Sequence, residues 1–410
     1  MLEQFKTSLN YRVNLLYIGL QGMYWMMVCC CVSLGSAYLS NRGYSTFSIG
    51  VLFAMAYLLA TLVQQIVSVV TDSSAEFDVL DVLAVFGVVL VITLFISLFT
   101  HGNSFLTGFT FLMAALVVTV IQPFLNALNF YIERMGIEMN YGVARASGSF
   151  CFFIMSLVAG FFMKIISEKT APFLGFFTAI GFTLFIVWIF RELKEAGLRN
   201  NSYDPFERDS SDSFQSLYFG NFIEEHKMFF LYLIGLVCFY FGHVIVNNFM
   251  YQISVNVGGD EGTNGGLLAL QAIVELPAMI FFNRLKERFN TKLLLGVSSV
   301  FYFVKIYFTA IATSVAMLYF SMIFQAFAFA IFIPASVHLV DEIMSKQDAV
   351  KGQAFVTMAM TLSSLIASIF GGLIINIFGV TATLWLSTFI TVVGVAISIY
   401  ALFRINTQKV

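Results

Sequence analysis

Gln122, Asn126, Asn129 and Glu133 follow one another at steps of four, three and four, a spacing that lines one side of an α-helix. Tyr240, His243, Asn247 and Tyr251 repeat the pattern at steps of three, four and four, with Asn248 and Gln252 beside them. Tyr17, Gln21 and Tyr24, next to Trp25, form a third stripe, and Ser321 with Gln325 a sparser fourth. Amides, phenols and an imidazole so arranged can hold the hydroxyl and carbonyl groups of a small solute. Three charges stand apart in oily stretches: Arg145 in "NYGVARASGSFCFF", Glu275 in "LQAIVELPAMIFF" and Lys305 in "FYFVKIYFTA". A guanidinium offers a planar fork to hydroxyls or a carboxylate. A carboxylate in apolar surroundings needs a cationic partner or a proton. Glu275 is therefore a place where a coupling proton could ride, with Lys305 as the cation that holds its ionised form and Glu133 as the other carboxylate on a polar stripe.

Bond-breaking chemistry finds no support in the residues. The sequence has no HExxH zinc pair, no nucleophile elbow and no P-loop, and its four histidines (His101, His226, His243, His338) are scattered. All five cysteines lie in oily runs without metal-ligand spacing. Neither catalysis, nor a metal, nor a cofactor, nor a nucleic-acid partner is expected.

The elements that must position these side chains follow from composition. Of 410 residues, 59% are hydrophobic and 11% charged, whereas soluble domains carry about 25% charged residues. So little charge cannot cover a water-facing surface, so the solvent must be lipid. Apolar runs of about twenty residues suit membrane-spanning helices and not barrel strands. Twelve spans are expected, near 11–40, 45–71, 80–100, 104–134, 141–166, 172–191, 227–256, 262–284, 291–311, 314–344, 351–379 and 381–404. With the N-terminus inside, sixteen of the 21 lysines and arginines fall in cytoplasmic segments, which places both termini in the cytoplasm. The N-terminus lacks a signal peptide's cleavage site, so the first helix is expected to be retained. A hydrophilic stretch at 192–226, with eight acids against three bases, reads as a cytoplasmic linker. It divides a six-helix half, 1–191, from a second, 227–410. "YGVARASGSFCFFIMSLVAGFF" and "KGQAFVTMAMTLSSLIASIFGGLI" echo one another at the fifth span of each half, and the first three polar stripes and the sparse fourth fall on the first and fourth helices of both halves. Six plus six with a cytoplasmic linker is the plan of parallel-repeat secondary transporters.

Several motifs carry a resemblance. "YGVARASGSF" resembles the opening of span five in the lactose-permease-like oligosaccharide/proton symporters of the major facilitator superfamily, with the family's sugar-binding arginine on Arg145. The family's ring-stacking tryptophan falls on Phe152. "GLVCFY" in span seven, "DEGTNGG" ahead of Glu275, and "KIYFTAIATS" with Lys305 at the family's span-nine arginine extend the likeness over most of the chain. The family's span-four glutamate falls on Asn129, and its span-ten histidine and proton-carrying glutamate on Gln325 and Ala328. The acidic pair of span seven is missing, and "TDSSAEFDVLD" keeps little of the superfamily's basic loop pattern.

The resemblance implies the major facilitator fold and a secondary transporter of a small polar solute, a sugar or glycoside carried with protons by alternating access. On this reading Arg145, Asn129, Phe152, His243, Asn247, Glu275, Gln325 and Trp25 bind substrate, with Phe152 or Trp25 stacking on an apolar ring face. Glu275, Lys305 and Glu133 carry the coupling. Alternatives are a transporter of a nucleoside, an aromatic acid or another metabolite, in either direction, and a non-transporting membrane receptor. Arg145 itself has two readings: a cation fixed in a central cavity, or a side chain snorkelling to the nearby cytoplasmic surface. A monomer in the cell (inner) membrane is expected.

Overall fold

A computed structural model describes residues 2–73, 77–198 and 219–405. The central part of the expected linker, 199–218, lies outside the described residues. The structured elements are helical: α1 (Leu2–Val28), α2 (Thr46–Ser73), α3 (Val79–Leu98), α4 (Phe105–Arg134), α5 (Tyr141–Ile165), α6 (Thr170–Glu195), α7 (Lys227–Asn248), α8 (Glu261–Ile280), α9 (Thr291–Ala310) and α10, which runs as Val315–Ile323 and Phe329–Ile343. A final helical run, Lys346–Arg404, is 59 residues long, more than twice the roughly twenty a bilayer needs. Gly379 interrupts it with φ 82° and ψ 173°, a left-handed conformation that glycine alone adopts cheaply. The run is therefore two helices, α11 (346–378) and α12 (380–404). Eleven stretches among the described residues are long and apolar enough to cross a membrane, the last being this double one. This is the all-α, twelve-helix architecture of the major facilitator fold.

Helix starts are written into the chain as side chains that satisfy unpaired backbone N–H groups. Asp78, Ser104, Asn140, Asp260, Asn290, Ser314 and Ser345 each accept from a backbone N–H of the first turn of the helix they precede. Each such cap stabilises its helix by about 1 kcal/mol. At the start of α11, the Ser345 hydroxyl and the Lys351 ammonium hold the Asp348 carboxyl below its usual range.

Four of the expected spans are not single α-helices. α1 gives way to a π-helical turn at Cys29–Ser33 before Gly35–Asn41. α7 stops at Asn248 and resumes as Met250–Asn256. α8 ends at Ile280, with a short helix, Phe282–Arg288, after it. α10 tightens to a 3-10 turn at Phe324–Ala326 and breaks at Ala328. The Ser298 hydroxyl donates to the Ala328 carbonyl at 2.7 Å, which also accepts from the Phe332 N–H at 3.1 Å. No glycine or proline marks residues 324–328, so hydropathy alone reads straight through. In α4, Pro123 cannot donate to the Thr119 carbonyl; Gln64 Nε2 donates to it instead, at 2.9 Å.

The described residues fall into two compact units, one within Met1–Gly43 and Met55–Ser213, the other within Tyr44–Ala54 and Phe214–Val410. In the first, α1 packs on α5 and α6, and α3 on α4 and α6. Arg42, buried after the first helix, ties three turns of this unit together. Its Nε lies 3.0 Å from Glu168 Oε1, and its Nη1 donates to the Thr100 carbonyl at 2.7 Å. In the second unit, α7 packs along the α11–α12 run, and α9 lies against that run and α10. Val246, Met250, Leu267, Ile306, Leu318 and Met322 form its buried core. Outward-facing positions such as Phe105, Phe109, Phe161 and Phe403 are exposed aromatics, as expected where the solvent is lipid.

Candidate functional site

The polar side chains gather into one cluster in each unit. In the first, Arg145 stands one turn into α5. A helical side chain leaves its Cα towards the helix N-terminus, which for Arg145 is the nearby end, so a snorkelling arginine would point back along the helix. Arg145 goes the other way. Its Nη1 donates to Ser149 Oγ at 2.8 Å, four residues deeper, and its guanidinium lies over the Trp25 ring at 4.1 Å. Such a contact is worth about 0.5–2 kcal/mol, more where water is excluded. Trp25 stands edge-on to Phe152 at 6.4 Å and to Tyr24 at 5.5 Å. The indole thus comes from α1, beside the α5 position where the resemblance places a stacking tryptophan.

Gly148 makes room for that indole, because a Cβ there would overlap the Trp25 ring. Gly148→Val is expected to push Trp25 away, shift its fluorescence and lower solute affinity while the helical circular dichroism stays unchanged. Unchanged fluorescence would show that the ring does not rest there.

The α1 stripe has turned to holding α4. Tyr17 OH donates to the Leu125 carbonyl at 3.0 Å, Gln21 Nε2 to Tyr17 OH at 2.9 Å, and Tyr24 OH to the Val118 carbonyl at 3.2 Å. Asn129 is buried, with its Oδ1 lacking a hydrogen-bond partner. Asn126 Oδ1 accepts from Tyr141 OH at 3.3 Å. Glu133 departs from its expected place: it is exposed in the last turn of α4, beyond the buried part of the stripe, where water can solvate its charge.

The second unit holds the deeper cluster. His243 is buried, stacked on Phe329 at 5.3 Å with 11° between planes, and edge-on to Tyr302 at 5.2 Å. Asn247 Nδ2 lies 2.9 Å from His243 Nε2. His243 Nδ1, Asn247 Oδ1 and the Tyr302 hydroxyl remain buried without hydrogen-bond partners. Such groups are costly unless water or a ligand completes them. Three residues from Tyr302 on α9, Lys305 is fully buried. The expected Glu275–Lys305 pair is not a direct contact. Lys305 Nζ donates to Gln325 Oε1 at 2.7 Å and to Gln271 Oε1 at 3.1 Å, and Gln325 Nε2 donates to Glu275 Oε1 at 2.7 Å. The two charges are joined through an amide. The break in α10 carries Gln325 at its 3-10 turn and so sets it between them.

Both clusters contain donors, acceptors and ring faces but no nucleophile beside a base. No group of three or more potential metal ligands occurs among the described residues.

The model of the MFS_1-like family matches residues 17–386. The chain belongs to that family. As an MFS_1-like protein it is a multi-pass membrane transporter, and the fold agrees with solved structures over nearly its whole length. A point variant of the nucleoside transporter NupG superposes with a TM-score of 0.74 at 14% identity, covering 96% of this chain and 98% of that one. A bacterial homolog of the human lysosomal transporter Spinster, inward-facing and unoccupied, gives 0.70 at 12% identity, covering 98% of each chain. No curated protein matches by sequence.

The clusters bring together Trp25, Arg145 and Phe152 in one unit, and His243, Asn247, Glu275, Lys305 and Gln325 in the other. Gln271, Tyr302, Gly148 and Ser149 were not singled out by sequence, although spacing carried a signal. Gln271 precedes Glu275 by four residues, Tyr302 precedes Lys305 by three, and Ser149 follows Arg145 by four, so each shares its partner's helical face.

Proposed function

We propose that this MFS_1-like transporter moves a small, ring-bearing, hydroxylated solute: a glycoside in the broad sense that includes nucleosides. The observation that carries the reading is Arg145 directed inward onto Trp25, which pairs an aromatic surface with a guanidinium fork. An aromatic ring and a polar fork together suit a solute with one apolar face and several oxygens. The second unit has its own buried amides, imidazole and phenol, a separate set of donors and acceptors of the kind that hold hydroxyls. The resemblance to oligosaccharide symporters and the fold shared with NupG, a nucleoside transporter, both lie within this class. Coupling to protons at Glu275, movement by alternating access, a monomer and a place in the cell (inner) membrane complete the proposal.

Purified protein in liposomes should take up at least one of uridine, adenosine or lactose faster than empty liposomes do, with faster uptake under an inward proton gradient. Binding without uptake would make the protein a receptor; no binding by any of the three would remove the glycoside class.

The distribution of basic residues supports an orientation with both termini in the cytoplasm. A cysteine introduced at Asn41 should react with an impermeant reagent added to intact cells, and one at Ser211 should not. Equal labelling would reverse the orientation.

A further inference from the structure

Lys305, Gln271 and Gln325 are at least nine-tenths buried, and their hydrogen bonds have a direction that chemistry imposes. An ammonium only donates, while a carboxamide donates from nitrogen and accepts at oxygen. Both glutamines touch Lys305, so both must turn their Oε1 towards it, as they do at 3.1 and 2.7 Å. Their NH2 groups are then committed to the opposite side. That of Gln325 is occupied by Glu275 Oε1. That of Gln271 is buried and has no partner.

We propose that Lys305 is a positioning residue that locks the Gln271 and Gln325 amides in one orientation, so that the Gln271 NH2 is presented as a donor to an acceptor oxygen of the solute. Without a donor-only neighbour, a buried glutamine can flip and offer oxygen or nitrogen as the ligand requires. With Lys305 in place, the site discriminates: it accepts a hydroxyl by its lone pairs and does not depend on that hydroxyl's proton. Arginine, which is also donor-only, should preserve the arrangement; methionine should not. The ligand part of this inference rests on the proposed solute class, whereas the orientation part does not.

Full-length protein in nanodiscs, labelled with side-chain 15N-glutamine, tests the orientation without a ligand. The Gln271 and Gln325 signals are assigned by their loss in Gln271→Leu and Gln325→Leu. Each should show two resolved NH2 protons in the wild type and in Lys305→Arg. In Lys305→Met both pairs should shift or average, while those of Gln64 and Gln353 stay in place and report an intact fold. Should Lys305→Met not fold, Lys305→Met with Glu275→Gln removes the uncompensated carboxylate and carries the same expectation. Unchanged Gln271 and Gln325 signals in either variant overturn the proposal. Uptake of uridine against its 2′-, 3′- and 5′-deoxy and fluoro derivatives tests the ligand part. At one position the deoxy compound should fall roughly tenfold while the fluoro compound, which keeps an acceptor, stays within about twofold. Lys305→Met should narrow that gap. Equal loss of deoxy and fluoro compounds at every position overturns the donor role. If uridine is not bound, the same comparison is made with adenosine; if uridine, adenosine and lactose all fail to bind while the amide signals behave as expected, the solute class fails and the locking role of Lys305 stands.

Discussion

Arg145→Lys is expected to reduce solute uptake by roughly 10- to 150-fold while leaving the protein in the membrane at normal amounts. The lost charge-assisted hydrogen bond and fork are worth about 1.5–3 kcal/mol, and each 1.4 kcal/mol is tenfold. Lysine keeps the positive charge, so an arginine that merely sought water at the helix end would be replaced without loss. It cannot keep the flat guanidinium that lies on Trp25 at 4.1 Å while donating to Ser149. A compact ammonium holds its own hydration more tightly and has no planar face to stack. Trp25→Phe should lower uptake by less, because a ring remains under the cation, though one with a weaker cation–π attraction. Uptake in liposomes normalised to reconstituted protein measures both. Near-normal uptake by the lysine variant would return Arg145 to a purely positional role.

The helices were legible because hydropathy and charge are properties of segments of about twenty residues, averaged over many side chains. The expected boundary between the last two spans, 351–379 and 381–404, falls at Gly379, where the structure places a positive φ that glycine adopts cheaply. The interruptions at Cys29–Ser33 and Phe324–Ala328 were not legible. Neither stretch contains a glycine or proline, so no local pattern reveals them. The same divide runs through the polar clusters. Helical spacing placed His243 with Asn247 correctly, because those residues share a helix. The partners of Lys305 come from α8 and α10, and their register was not encoded locally. The two amides of the arrangement were therefore missed or misjudged: Gln271 was not singled out, and Gln325 was not seen as the bridge between the charges. Glu133 keeps the spacing of its stripe but falls in the last turn of α4 and is exposed, which spacing alone does not show.

Glu275→Gln is expected to abolish accumulation of solute against a gradient while leaving exchange of labelled for unlabelled solute across the membrane. Glutamine has the size and acceptor oxygen of a carboxyl but no titratable proton, so it separates solute binding from proton carriage. Gln325 Nε2 donates to Glu275 Oε1 at 2.7 Å, and the Lys305 ammonium holds the far end of the same amide at 2.7 Å. This chain of hydrogen bonds ties the carboxyl, through one amide, to the cation, so a solute that disturbs the amide reaches the carboxyl too. Lys305→Met should harm expression more than Lys305→Met together with Glu275→Gln. The single change leaves a charge in the membrane interior without its counter-ion, at a cost of several kcal/mol, whereas the double change leaves only neutral amides. Counterflow and pH-driven uptake, measured on the same reconstituted variants, decide the matter. Should Glu275→Gln still concentrate solute, the coupling proton rides elsewhere, and His243, buried beside Tyr302 on the same face as Lys305, is the next group to substitute.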